Sequence, residues 1–214
     1  ESGDSDTLIN RIKSYLYHKG EYHPENELSF APALCNRIDR NTCGIVIAAK
    51  NAESLRILNQ KIRDRELTKL YLCIACGKVT PDSATLTAYL EKNSDTNTVK
   101  ISDKKTKSNL TIKTKYKVIA YNGENSLLKV DLLTGRTHQI RAHLAYIGHA
   151  LLGDGKYGNN KLNKKYGFKY QALCSYELQF KFTTDAGCLS YLDGKCFKAK
   201  APDFVKMFGS NTKL

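Results

Sequence analysis

The stretch SNLTIKTKYKVIAY, ending at Tyr121, constrains this chain more than any other. Leu110, Ile112, Tyr116 and Val118 fall on one side of a period-two pattern, with Lys113, Lys115 and Lys117 on the other. Successive strand residues point to opposite faces, so this is a strand with one dry face and one wet, lysine-bearing face. Such a strand buries its apolar side only as part of a sheet. Neighbouring segments supply the rest: KLYLCIACGKV, ATLTAYLEK, TVKISD, NSLLKVDLLTG, QALCSYELQFKF and CLSYLDGKCFKAK all read as strands, and so does the short run Ile45 to Ala49.

Helices are fewer. Ser5 to Lys19 reads as one, capped by Ser5 or Asp6, with Leu8, Ile12, Tyr15 and Leu16 as its apolar face and Gly20 closing it. Asn51 is positioned to cap a second, marked by Leu55, Leu58 and Ile62. A third opens within RTHQIRAHLAYIGH and ends at Gly148, and PDFVKMF gives a short C-terminal helix. The expected fold is therefore α+β: a single domain over residues 1–214 built on a large mixed, mostly antiparallel sheet with flanking helices.

Charge narrows the partners. Lys and Arg number 34 against 21 Asp and Glu, a net charge of +13, which is the footprint of a protein that meets a polyanion. The lysine face is either a solvated sheet surface or a surface for nucleic-acid backbone. Seven cysteines, an odd number irregularly spaced, argue for a reducing compartment. Cys73 and Cys76 lie three apart in a strand and so point to opposite faces, which suits neither a metal clamp nor a redox pair. No apolar run approaches the roughly 20 residues that span a bilayer, and the polar, acidic start is not a secretory signal. The expected location is the cytoplasm, with a monomer as the default state.

The segment NRIDRNTCG sets Asp39 between Arg37 and Arg40. That arrangement is either a surface ion pair or a catalytic aspartate whose neighbours favour its ionised form. A second segment, LLTGRTHQIRAHLAYIGHALLGDGKYG, holds His138 and His143 five apart, off the spacing that puts two metal ligands on one helix face. Together with Lys69 and Tyr71 in KLYLCIACG, these segments resemble the RluA-type family of RNA pseudouridine synthases. The family pattern H-R-L-D-x-x-T-S-G is matched at Asn36, Arg37, Ile38, Asp39, Thr42, Cys43 and Gly44. The pattern G-R-T-H-Q-I-R-x-H, then G-D-x-x-Y-G, is matched from Gly135 to Arg141, at His143, and at Gly153, Asp154, Tyr157 and Gly158. Asn36 stands where the family has His, and Cys43 where it has Ser.

The resemblance implies the pseudouridine synthase catalytic fold and an isomerase needing no cofactor and no metal. The reaction breaks the N1–C1′ bond of a uridine, turns the base and joins C5 to C1′. Asp39 matches the family's nucleophile, Arg141 the basic residue paired with it, and Tyr71 the tyrosine that stacks on the base or takes the C5 proton. Arg37 matches the residue filling the space of the flipped base, and Arg40, Arg136, His138 and Gln139 are expected to contact RNA. No second acid in these motifs has an evident partner role, which disfavours simple glycoside hydrolysis. The expected substrate is structured RNA, ribosomal before transfer RNA. The N-terminal hairpin and RNA-binding domain common in the family are not expected within this chain. Two other classes compete: a catalytically silent basic RNA-binding module, and an aspartate-nucleophile hydrolase of a phosphorylated small molecule, which would call for paired acids around magnesium.

Overall fold

The computed structural model describes residues 6–26, 29–93, 95–209 and 212–214. In chain order the elements are helix α1 (Leu8–His18), strands β1 (Ala33–Leu34), β2 (Cys43–Gly44) and β3 (Ala48–Ala49), and helix α2 (Ala52–Arg63). Strands β4 (Leu67–Cys76), β5 (Ser83–Asn93), β6 (Thr98–Ser102), β7 (Leu110–Tyr121) and β8 (Asn125–Asp131) follow. Helices α3 (Gln139–Tyr146) and α4 (Asn160–Lys165) come next, then strands β9 (Leu173–Phe180) and β10 (Cys196–Lys198). Two 3₁₀ helices, Gly187–Leu192 and Asp203–Phe208, complete the set. No described helix is long and apolar enough to cross a membrane.

The chain forms two compact units. The first draws on residues up to Arg37, on Val46–Leu67 and on Gln179–Cys196. It contains α1, α2 and the antiparallel pair β1–β3. Thr7 caps α1, its hydroxyl accepting the Asn10 N–H at 3.3 Å. The Asp6 carboxylate, a candidate cap in the sequence, is instead held by Arg11 at 2.5 and 2.6 Å; Ser5, the other candidate, lies outside the described residues. Asn51 caps α2 as its position predicts, accepting the Ser54 N–H at 2.8 Å.

The second unit is built on the sheet, mixed and mostly antiparallel, with strand order β10-β9-β4-β8-β7-β5-β6 and β2 added alongside β9. The pairs β4–β8, β8–β7, β7–β5 and β5–β6 are antiparallel, and β2–β9 is parallel. One face carries Tyr71, Cys73, Tyr116, Leu128 and Val130, covered by Ile140 and Leu144 of α3. The other face, over β4 and β9, is covered by Val205, Phe204 and Phe208 of the last 3₁₀ helix, which rest on Leu72, Leu127 and Tyr176. The alternation of β7 holds as written: Ile112, Thr114 and Tyr116 are buried while Lys113, Lys115 and Lys117 are exposed, though Leu110 at the strand's start is exposed too.

Two expectations need correction. The run Ile45–Ala49 is not one strand: its start still bonds β9 through the Ile45 N–H to the Ser175 carbonyl at 2.8 Å, beside Gly44 at φ +108°, while only Ala48 and Ala49 pair with β1. An added Cβ at Gly44 would sit 2.1 Å from the Ser175 carbonyl oxygen, so glycine alone fits this approach. CLSYLDGKCFKAK is a 3₁₀ turn followed by the three-residue β10, divided by Gly194 at φ +71°. The short C-terminal helix expected in PDFVKMF is present, wound as a 3₁₀ helix over Asp203–Phe208. Helix α4 has no counterpart in the sequence reading; Asn159 caps it through hydrogen bonds from Lys161 and Leu162 N–H.

Candidate active site

Asp39 sits on a turn closed by the Thr42 N–H to the Asp39 carbonyl at 3.0 Å, with Asn41 at φ +66° completing the bend. Gln171 ties that turn to the chain entering β9, donating to the Arg40 carbonyl at 2.7 Å and the Thr42 hydroxyl at 3.1 Å. The local sequence thus needs a tight, pinned loop, which holds the Asp39 side chain in a partly buried position.

Arg141 projects from α3 and divides its guanidinium between two carboxylates. Nε and Nη2 donate to Asp154 Oδ2 and Oδ1 at 2.7 and 2.9 Å. Nη1 lies 3.4 Å from Asp39 Oδ2. The side chains of Asp154, Arg141 and Asp39 are 0%, 6% and 17% exposed, so the short, two-pronged contact is the buried one and the long contact faces the solvent side. Burial alone would raise the Asp154 pKa, but hydrogen bonds and charge from Arg141, with the Lys156 and Tyr157 N–H groups, hold it below the ordinary carboxylate range. For Arg141, burial opposes the charge, and Asp154 with Asp39 more than offsets it.

Asp154 is the residue that sequence reasoning missed. The motifs alone give no second acid an evident partner; the structure makes Asp154 the principal partner of Arg141. Its Oδ1 also accepts the Lys156 and Tyr157 N–H groups at 2.8 and 3.1 Å. The signal was present in G-D-x-x-Y-G. A Cβ at Gly153 would meet the Tyr170 carbonyl oxygen at 2.0 Å, and one at Gly158 the Asp154 carbonyl oxygen at 2.4 Å. The glycines therefore let the backbone close around a buried acid.

Tyr157 joins the cluster from the side. Its hydroxyl accepts the Val99 N–H at 2.9 Å and shares a hydrogen bond with His138 Nδ1, also at 2.9 Å. Its ring lies 5.4 Å from the Arg141 guanidinium. His138 precedes α3 in a left-handed conformation, φ +52°. Burial lowers its pKa, against the opposing pull of Asp39. Tyr71, on β4, is buried; burial raises its pKa, with a hydrogen bond from Ser175 opposing and the Asp39 charge adding to the rise.

The remaining expected residues fall out differently. Arg37 is exposed in the first unit, and Arg40 is exposed on the Asp39 turn. The one ion pair that Asp39 makes among the described residues is with Arg141, not with either neighbour. Arg136 is exposed. Gln139 is 2% exposed and its amide is committed within the protein: it accepts from the Thr134 hydroxyl and Arg136 N–H and donates to the Lys113 carbonyl and Thr114 hydroxyl. His143 is buried against the same Thr114 hydroxyl at 3.0 Å, and burial pushes its pKa down to about 4.

The profile of the RNA pseudouridylate synthase family matches residues 6–146. An uncharacterized RNA pseudouridine synthase of Mycoplasma genitalium is 36% identical over 81% of this chain and 55% of its own length. The ribosomal large subunit pseudouridine synthase D of Borreliella burgdorferi is 34% identical over 72% of the chain and 46% of its own length. The chain thus spans about half the length of these curated relatives. A solved structure of the human RNA pseudouridylate synthase domain containing 4 protein superposes with a TM-score of 0.72 at 18% identity, covering 94% of this chain and 82% of that one, which bears on the fold. With the profile spanning both the Asp39 turn and Arg141, the chain belongs to the RNA pseudouridylate synthase family.

Proposed function

We propose that this chain isomerises specific uridines of structured RNA to pseudouridine, with Asp39 as the nucleophile. The observation that carries the reading is the division of Arg141. Asp154 takes two of its donors in a buried, two-pronged pair, so Arg141 is held in place without drawing fully on Asp39. The Asp39 carboxylate keeps a long contact to a fixed cation and a partly open side. That geometry suits an acid that must reach a sugar carbon while its charge is stabilised. The reaction conserves atoms: the N1–C1′ bond breaks, the base turns, C5 bonds to C1′, and the C5 proton is lost as N1 gains one.

The parts of the other residues follow from their surroundings. Tyr71 serves as a wall on which the base stacks and, as its phenolate, as the group that takes the C5 proton; burial makes that phenolate scarcer but more basic. Arg37, Arg40 and Arg136, all exposed, contact RNA backbone and the space left by the flipped nucleotide. His138 and Gln139 set the entry to α3, and through it the position of Arg141. The target we favour is ribosomal RNA, as the name of the Borreliella burgdorferi relative has it, with the protein acting as a cytoplasmic monomer.

The test pairs a map with a variant. Pseudouridines in ribosomal and transfer RNA are located by carbodiimide chemistry in cells with and without the protein. One or a few uridines should revert in its absence. Asp39→Asn should lower isomerisation at those sites by about a thousandfold or more while RNA affinity stays within a few fold. Turnover by the Asn variant would remove the nucleophile assignment. An unchanged map would favour a binding module.

A further inference from the structure

The sheet face opposite α3 carries the charge that the site does not use. Tyr71, Val130 and Tyr116 lie side by side across β4, β8 and β7 on the face that α3 covers. Strand alternation places Lys113, Lys115 and Lys117 on the other face. Residues two apart in a strand stand about 6.7 Å from one another, close to the spacing of successive phosphates on an extended nucleic-acid strand. Cross-strand partners extend the surface: Thr87, Thr85 and Ser83 of β5 stand opposite Lys113, Lys115 and Lys117, and all six residues are exposed.

This row is only partly neutralised from within, by the attraction between Lys115 and Asp131. None of Lys113, Lys115 and Lys117 makes an ion pair with a described residue. Lys115 stands across from Asp131, and Lys117 stands directly across from Lys129. Like charges opposed on neighbouring strands destabilise a sheet; Lys129 is relieved by Glu177 at 2.9 Å, Lys117 is not. The surface continues at the end of the sheet, where Lys105 of the β6–β7 loop lies 5.3 Å over the ring of Tyr89, a residue opposite Thr111 on the same face. A folded protein carries this repulsion to no structural benefit, whereas a polyanion laid along the row would remove it.

We propose that this face is a second RNA-contact surface, in which Lys113, Lys115 and Lys117 bind successive backbone phosphates of the substrate RNA and the flanking Thr85, Thr87 and Ser83 hydroxyls donate hydrogen bonds to them. It rests on the RNA reading given above but not on the chemistry at Asp39. The contact reads backbone, so it adds affinity and orientation without choosing the uridine.

The test is the salt dependence of RNA binding by the full chain, with a structured ribosomal RNA fragment as the probe. Each phosphate contact contributes about 0.7–0.9 to the slope of log affinity against log salt. The triple variant Lys113→Gln/Lys115→Gln/Lys117→Gln should lose about 2–3 in slope and bind at least about tenfold more weakly near physiological salt. Its single-turnover rate at saturating RNA should match the parent's. Lys161→Gln/Lys164→Gln, which removes two exposed lysines of α4, controls for net charge and should lose less slope per lysine. Should the triple variant fold poorly, Lys117→Gln alone should still lower the slope by about 0.7–0.9. A parent that isomerises RNA beside variants that keep its slope overturns the surface alone. A slope loss per lysine equal to that of the α4 control does the same. A parent that neither binds nor isomerises RNA overturns the functional reading and this surface with it.

Discussion

Among the described residues each unit buries one cation against a carboxylate, and the two are built to opposite ends. In the first unit Lys61 donates to Glu66 Oε2 at 2.7 Å and to the Thr184 carbonyl and hydroxyl oxygens at 2.6 Å each. Glu66 in turn accepts the Thr183 N–H and both the Thr183 and Thr184 hydroxyls. Every ammonium hydrogen and both carboxylate oxygens are used, and the knot closes on itself. In the second unit Arg141 closes fully on Asp154 yet reaches Asp39 only at 3.4 Å. A closed pair holds a fold. A pair with one loose arm holds a fold and leaves a carboxylate available, as the proposed nucleophile requires.

Breaking the open cluster should have the largest effect. Asp154→Asn removes one partner of a buried pair and leaves Arg141 to lean on Asp39. Removing a buried partner costs about 3–5 kcal/mol of stability, and here it should also cost turnover, about ten- to a hundredfold in kcat with little change in KM. Chemical denaturation and single-turnover kinetics on the same RNA check both parts. An Asn variant with full kcat would show that Asp39 needs no fixed Arg141. Glu66→Gln is the matching break in the closed knot. It strands the buried Lys61 ammonium, so it should cost a similar 3–5 kcal/mol or slightly less, since the amide still accepts one hydrogen bond. The kcat of the folded fraction should be unchanged. If Glu66→Gln slowed turnover as much as Asp154→Asn, the division between a structural pair and a functional one would fall.

The same contrast explains what could be read from the sequence. The strands β4, β5, β7 and β8 and the Asn51 cap of α2 rest on local rules, periodicity and capping, and these are written in consecutive residues. The pairing of Arg141 with Asp39 follows from the motif resemblance, and the two side chains do meet, at 3.4 Å. Asp154 was visible in its motif yet silent in role, because a buried ion pair depends on two side chains brought together by packing rather than by spacing. The need for glycine at position 44 was equally hidden, since it comes from the Ser175 carbonyl oxygen on a distant strand. Asp6 looked like a helix cap until Arg11 claimed its carboxylate. Gln139 was expected at the RNA, and the four partners of its amide come from β7 and the turn before α3.

Acid separates the two regions by a smaller effect. Burial holds His143, which is 1% exposed, to a pKa of about 4 against an ordinary 6.5. The unfolded chain therefore binds a proton between pH 6.5 and 4 that the folded chain refuses, so stability falls as pH falls through that window and levels off below it. A shift of this size corresponds to about 3 kcal/mol. Glu66 behaves with a different window: the hydrogen bond from Lys61 holds its pKa down to about 2 against an ordinary 4.5, so its contribution is complete above 4.5 and is lost as pH falls from there toward 2. Denaturation midpoints measured from pH 7 to pH 3 should show a first loss above pH 4 that belongs to the second unit and a later one that belongs to the first. His143→Gln should shrink the first loss while the Gln side chain keeps a hydrogen bond to Thr114, and Glu66→Gln should flatten only the second. A parent equally stable at pH 6.5 and pH 4 would mean that His143 accepts its proton in the folded state, and the α3–β7 contact would then be wetter than its burial implies.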